Sequence, residues 1–187
     1  MYKHLFIAIK IYPTDVLLAK VAFLKDHLNQ DLINWIPEDH YHITLRFLGK
    51  TSLKHIPKIE AVLQKIASQQ SGFSLQINAV RIFGSAYKPM VLWLGIEEQQ
   101  GFLDLHKKME EALKHIGYHS DRQNFIPHIS IARIKKVRDK KFFQMLLNRV
   151  DNAPIQTQHI GEVILYESIL GVKGVTYNIV KSFKLGT

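Results

Sequence analysis

Apolar positions along the chain fall into two alternating rhythms. Ile56, Ile59, Leu63 and Ile66 recur at helical spacing after Ser52 and predict a helix within 52–70. Phe102, Leu105, Met109, Leu113 and Ile116 predict a second over 100–116, stopped by Gly117. Phe142, Phe143, Leu146, Leu147 and Val150 predict a third in the first part of 138–156. A further helix is expected over 14–30, capped by Thr14 or Asp15. Between these stretches the period changes to two. Leu5-Phe6-Ile7-Ala8-Ile9 and Val91-Leu92-Trp93-Leu94-Gly95 read as buried strands. Phe73, Leu75, Ile77, then Val80 and Ile82, alternate cleanly, as do Val175, Tyr177 and Ile179, and 159–169 is strand-like. Such alternation predicts antiparallel sheet with one covered face. Loops are expected at 84–89, 117–127 and 152–154, where Gly, Pro and Asn gather.

One four-residue pattern occurs twice. His42-Ile43-Thr44-Leu45 and His128-Ile129-Ser130-Ile131 each place a histidine, an apolar residue, a hydroxyl residue and another apolar residue in line. On a strand the histidine and hydroxyl share one face, and the two apolar side chains take the other. The histidines lie 86 residues apart, and the same shift lays the remaining elements over one another in matching order. The 5–9 strand falls on 91–95, the 14–30 helix on 100–116, 52–70 on 138–156 and 73–83 on 159–169. This predicts an internal duplication. The fold class is α+β: two lobes related by a pseudo-two-fold, each roughly strand–helix–strand–helix–strand, forming one domain over 1–187.

Composition narrows the function. Net charge is +9, from 25 Lys and Arg against 16 Asp and Glu, which favours a polyanionic partner such as RNA or DNA. There is no cysteine, which excludes disulfides and thiolate metal sites. The apolar N-terminal stretch is too short for a signal peptide, and no run approaches a membrane span, so a cytoplasmic, monomeric protein without membrane contact is expected. Arg133, Lys135, Lys136, Arg138, Lys140 and Lys141 form a basic run opposed only by Asp139; it either tracks an RNA backbone or covers a solvated face. His40-Tyr41-His42 has no second cluster at ligand spacing, so neither metal nor cofactor is expected.

Two imidazoles and two hydroxyls on rigid strands suit chemistry on a phosphate. Opening a phosphodiester needs a base for the nucleophile, an acid for the leaving oxygen, and donors for the phosphoryl oxygens. Histidine supplies either proton role near neutrality, without a metal. Thr44 and Ser130 are placed to donate to non-bridging oxygens. Arg46 extends the first histidine face, towards substrate or solvent. Among Tyr12, Trp35, Phe47 and Tyr166, the residues singled out for stacking on bases are Tyr12 and Tyr166.

These motifs resemble the 2H phosphoesterase superfamily, named for two His-x-Thr/Ser-x motifs. The run His42-Ile43-Thr44-Leu45-Arg46-Phe47-Leu48-Gly49 is similar to the first motif of the bacterial and archaeal RNA 2′,3′-cyclic phosphodiesterases, formerly called 2′-5′ RNA ligases. Leu5-Phe6-Ile7-Ala8-Ile9, Pro127-His128-Ile129-Ser130-Ile131-Ala132-Arg133 and Leu165-Tyr166-Glu167-Ser168 extend the likeness over essentially the whole chain. Ser130 replaces a threonine and keeps the hydroxyl. The resemblance implies a cleft between two antiparallel sheets with one tetrad on each side. It implies hydrolysis of a 2′,3′-cyclic phosphate at an RNA end, tRNA fragments included, to a 2′-phosphate. In that scheme His42 protonates the leaving 3′ oxygen, His128 activates water, and Arg133 clamps phosphate. The residues themselves do not assign which histidine is acid and which is base. Rival readings are the reverse reaction, joining such an end to a 5′-hydroxyl; a non-catalytic RNA- or nucleotide-binding module; and a different small cyclic-phosphate substrate.

Overall fold

A computed structural model describes residues 1–97, 99–119, 125–150, 153–172 and 174–186. In chain order the elements are β1 (Tyr2–Lys10), α1 (Asp15–His27), β2 (Leu32–Trp35), β3 (His42–Ser52), α2 (Ile56–Ser68), β4 (Phe73–Ser85), β5 (Lys88–Glu97), α3 (Gln100–His115), β6 (His128–Lys136), α4 (Lys140–Arg149), β7 (Gln156–Ile160), β8 (Glu162–Gly171) and β9 (Gly174–Lys184). Part of the expected 117–127 and 152–154 loops lies outside the described residues.

The helices start and stop where local chemistry dictates. The Thr14 hydroxyl accepts from the Leu17 amide and caps α1. Asp139, the lone acid in the basic run, accepts from the Phe142 amide at 2.9 Å and caps α4. Gly117 takes φ +97° just beyond α3, a left-handed conformation that favours glycine at a helix end. The 52–70 stretch is not helical throughout: β3 runs to Ser52, a short 3₁₀ turn spans Leu53–His55, and α2 then begins with Pro57 in its first turn. In α4 the inner side is Phe143 and Leu146, while Phe142 faces outwards.

The strands form one sheet in the order β7-β4-β5-β6-β3-β1-β8-β9, with β2 beside β6. The named strands pair antiparallel. The two expected lobes are its halves, β3-β1-β8-β9 and β6-β5-β4-β7. Among the described residues they meet at one register pair, Ile43 opposite Ile129. The cleft therefore lies over the neck of a continuous sheet rather than between two separate sheets.

The 86-residue shift carries β1 onto β5, α1 onto α3, β3 onto β6, α2 onto α4 and β4 onto β8. The halves mirror each other: β3-β1-β8 on one side, β6-β5-β4 on the other. Yet each sequence repeat gives its last strand away. β4 from the first repeat pairs with β5, and β8 from the second pairs with β1. The expected lobe built from one repeat alone is corrected in this respect. The tight β4–β5 hairpin is the cause: Gly84 has φ +98°, and a Cβ there would lie 2.4 Å from the Lys88 carbonyl oxygen. The 159–169 stretch is likewise two strands, because β7 pairs with β4 and β8 with β1, in opposite halves.

One large apolar cluster joins the helices to one sheet face. It includes Ile43 and Leu45, and Ile129 and Ile131, from the two tetrads. A smaller cluster of Phe6, Ala8, Ile164 and Tyr166, with Tyr177 against it, forms on the opposite face beneath His42. Helices cover the first face and leave the second open to hold the cleft.

Candidate active site

Both imidazoles are fixed by the same device. The His42 Nδ1–H donates to the His40 carbonyl oxygen at 2.6 Å, and the His128 Nδ1–H to the Ile126 carbonyl oxygen at 2.8 Å. A carbonyl oxygen only accepts, so the bond places the proton on Nδ1 of each neutral ring. Nε2 is then the nitrogen that exchanges a proton. Duplication has thus preserved an atomic detail, a histidine pinned to the carbonyl two residues upstream.

Aromatic rings brace each histidine. Phe6 lies 5.2 Å from His42, and Tyr177 meets it edge-on at 5.2 Å. Phe83 meets His128 edge-on at 4.8 Å, with Trp93 at 5.7 Å. Buried aromatic contacts lock the ring orientations, as a proton-transfer group requires.

Both rings face one cavity of about 660 Å³, lined also by Thr44, Ser130 and Arg133. The structure thus brings together five of the eight residues singled out by sequence. Arg133 is exposed at the rim, while the Arg138 guanidinium donates to Gln30 and its backbone amide to Asp31.

The other three, Arg46, Tyr166 and Tyr12, do not line that cavity. Arg46 turns to α3 and the stretch after it: its Nη1 donates to Glu110 of α3 at 3.2 Å, and its Nη2 to the His119 carbonyl beyond the helix end. It lines a flanking cavity and not the one that holds both histidines and Ser130. Tyr166 is 6% exposed, stacked on Phe6 at 5.2 Å and 15°; burial, with Tyr12 and Glu162 nearby, pushes its phenol up to about 12. Its ring is part of the wall behind His42 and has no face free for a base. Tyr12 is exposed and lines two neighbouring hollows with Lys10 and Glu162, one of them reaching His40 and His42, but not the cavity that holds both histidines.

Phe47 takes the place expected for these rings. It is 69% exposed and lines both the histidine cavity and its flank. Two bulges explain this. Opposite β1, the pairing passes from Thr44 to Arg46, then Phe47, then Gly49, skipping Leu45 and Leu48. Bulges re-aim side chains, so simple alternation fails after Thr44. His40, Tyr177, His106, Glu110 and Phe125 also reach the cavities without any local sequence signal.

Burial is the main cause that pushes both cleft histidines below the ordinary imidazole value of 6.5. His42 is lowered further by Lys10, His40 and His128, with its bond to His40 opposing; His128 is opposed by its bond to Ile126. His106 is lowered too, by burial first and then by Arg46, against Glu110. The unfolded chain therefore binds protons near pH 6.5 that the folded chain refuses. Stability from these three groups is full above pH 6.5 and is lost as pH falls through the lowered values. Thermal unfolding between pH 8 and 5 should show Tm dropping towards acid. A His42→Gln, His106→Gln, His128→Gln triple variant should flatten that slope; an unchanged slope refutes the assignment.

Among the described residues no group of three or more His, Cys, Asp or Glu side chains is disposed to hold a metal ion, and no helix is long and apolar enough to cross a membrane.

Comparison with known proteins adds an independent line. A family model described as the 2′-5′ RNA ligase superfamily matches residues 18–168. A Thermotoga maritima protein named RNA 2′,3′-cyclic phosphodiesterase is 30% identical over 145 residues, covering 78% of this chain and 75% of that protein. A Methanothermobacter thermautotrophicus protein of the same name is 25% identical over 171 residues, covering 87% and 92%. The Thermus thermophilus protein TT0787 has the same fold, with a TM-score of 0.80 at 21% identity over 99% of this chain and 98% of that one. E. coli LigT complexed with 3′-AMP gives 0.76 at 20% identity over the full length of both.

Proposed function

The chain belongs to the 2′-5′ RNA ligase superfamily of 2H phosphoesterases, and from that premise we propose that it hydrolyses 2′,3′-cyclic phosphate ends of RNA to 2′-phosphomonoesters. The observation that carries this reading is the pair of pinned imidazoles, each presenting Nε2 to one cavity with Thr44 and Ser130 beside them. A non-catalytic binder has no need of two rings held in the same tautomer. The E. coli relative complexed with 3′-AMP fits a substrate with a nucleotide end.

In the proposed step water attacks phosphorus opposite the 3′ oxygen. A P–O bond forms to water and the P–O3′ bond breaks. His128 Nε2 takes the water proton, and His42 Nε2–H gives its proton to the 3′ oxygen. Thr44, Ser130 and Arg133 hold the non-bridging oxygens as charge moves onto them. The acid and base assignment follows the family resemblance. The bound phosphodiester's negative charge opposes the lowering of the His42 pKa and keeps the acid loaded. Turnover leaves His42 neutral and His128 charged, and solvent exchange resets both.

Purified protein with an oligonucleotide ending in 2′,3′-cyclic phosphate tests the proposal, with ³¹P NMR locating the product phosphate. A 2′-phosphate, formed with chelator present, is the expected product. A 3′-phosphate, or no turnover, overturns the reading. A companion strand with a 5′-hydroxyl tests joining, which puts that hydroxyl in the place of water and is named by the family's own description. Because both histidines sit below 6.5 in the free protein, kcat/KM should follow a bell with its maximum on the acid side of pH 6.5. A maximum above pH 8 contradicts the two-imidazole scheme.

A further inference from the structure

We propose that Lys10 is a positioning residue for the cleft: it fixes the 38–40 turn against β1, and through that turn it aims the His40 carbonyl that holds the His42 ring. The inference rests on the reading of the cleft as a cyclic phosphodiesterase site.

The stretch before β3 is a 3₁₀ turn over Glu38–His40. Four successive carbonyls, from Pro37 to His40, are taken there in two ways. Those of Pro37 and Glu38 accept from the His40 and Tyr41 amides at 3.0 and 3.2 Å. Those of Asp39 and His40 accept from side chains, the Lys10 ammonium and the His42 Nδ1–H. A peptide unit is planar, so once the Asp39 carbonyl is fixed only the two His40 torsions remain to turn the His40 carbonyl. The His40 ring, 4.9 Å from that of Tyr177 on β9, restrains those torsions from the other side. Lys10 thus holds one peptide plane, and that plane sets the next, on which the tautomer of His42 depends.

Lys10 is placed for this task. It stands opposite His42 in the β1–β3 register, so both side chains leave the same face of the sheet. They line one hollow, which Asp39, His40 and Glu162 also reach. Burial pushes the Lys10 ammonium below its usual range, with Asp39 opposing. A partly buried cation needs an acceptor, and the Asp39 carbonyl is one.

The device belongs to one half only. The 86-residue shift lays Lys10 on Ile96 and Asp39 on Phe125. Isoleucine has no side-chain donor, so the carbonyl that holds His128 is not anchored in this way. The two histidines are alike in their pins but not in what supports them, and His128 is a built-in control.

The test reads ring tautomers by long-range ¹H–¹⁵N NMR in wild type, Lys10→Met and Lys10→Arg. It is run at about pH 8, where both rings are neutral. Lys10→Met keeps the length of the side chain and removes the donor; Lys10→Arg keeps a cationic donor. In wild type each ring should be in the Nδ1–H form. In Lys10→Met the His42 ring should become a mixture of both forms while His128 is unchanged. In that variant kcat on a 2′,3′-cyclic phosphate should fall about tenfold, with KM within about twofold. Lys10→Arg should restore the tautomer and most of kcat. A residue that merely supports the sheet would move Tm and leave the tautomer alone. An unchanged His42 ring in Lys10→Met overturns the proposal. So does an equal change in both rings, or Lys10→Arg behaving as Lys10→Met. If wild type turns over no cyclic phosphate, the phosphodiesterase reading has failed, and the ring spectra alone decide whether Lys10 positions His42.

Discussion

His128→Ala is expected to lower kcat by about 10³–10⁴, and His42→Ala by a similar factor, with the fold intact. A proton-transfer role is ordinarily worth about 10²–10⁴, and here each ring is also held in one tautomer by a short bond, so no other side chain at the same place substitutes for it. Without His128 the attacking water keeps its proton; without His42 the 3′ oxygen departs as an alkoxide. The double variant should be little worse than either single one, because groups acting in one transition state are not additive. Nucleotide affinity should survive, since Thr44, Ser130 and Arg133 remain. Far-UV circular dichroism and a nucleotide Kd separate loss of chemistry from loss of structure. Retention of more than about a tenth of wild-type kcat in both single variants would remove the two-histidine mechanism.

Ile129→Ala should be the most damaging of the conservative core truncations around the site. Ile129 is fully buried and faces Ile43 at the pair joining the two halves of the sheet. It also pairs with Leu94 of β5. Removing three carbons from such a position costs about 2–5 kcal/mol, because the surroundings collapse only partly into the space. Against a total stability of about 5–15 kcal/mol this is large, and Tm should fall by about 10 °C. Its neighbours on the same strand, His128 and Ser130, face the cleft, so the relaxation also moves the groups proposed to act on phosphate, and kcat should fall at temperatures well below the new Tm. Ile179→Ala, on an exposed face of β9, is the control and should change stability by less than about 0.5 kcal/mol. Equal Tm shifts in the two variants would show that the neck is not a structural joint.

The parts of the molecule legible in sequence are those whose signal is local. The stripe Phe102, Leu105, Met109, Leu113 names α3 because helical period and burial coincide. The two tetrads name their strands and their shared face because alternation holds from His42 to Leu45 and from His128 to Ile131. Beyond Thr44 the bulges opposite β1 break that rule, which is why Arg46 and Phe47 exchange the places expected of them. Tyr166 reads as available for stacking because sequence does not reveal the second apolar cluster that buries it. Glu110 and His106 reach the flank of the cleft from α3, and Phe125 from the stretch before β6; only the fold brings them there. The exchange of β4 and β8 is equally hidden, since a repeat offset orders strands but does not say which neighbour each one pairs with.

That exchange governs how the molecule comes apart. Neither repeat holds all of the lobe it begins, and each lobe includes an inner strand contributed by the other repeat, β8 beside β1 and β4 beside β5. The lobes are interwoven rather than docked, so melting one strips an inner strand from the other. Disassembly should therefore be a single concerted event, in which the gap between the two imidazoles is protected by the cooperativity of the interwoven sheet.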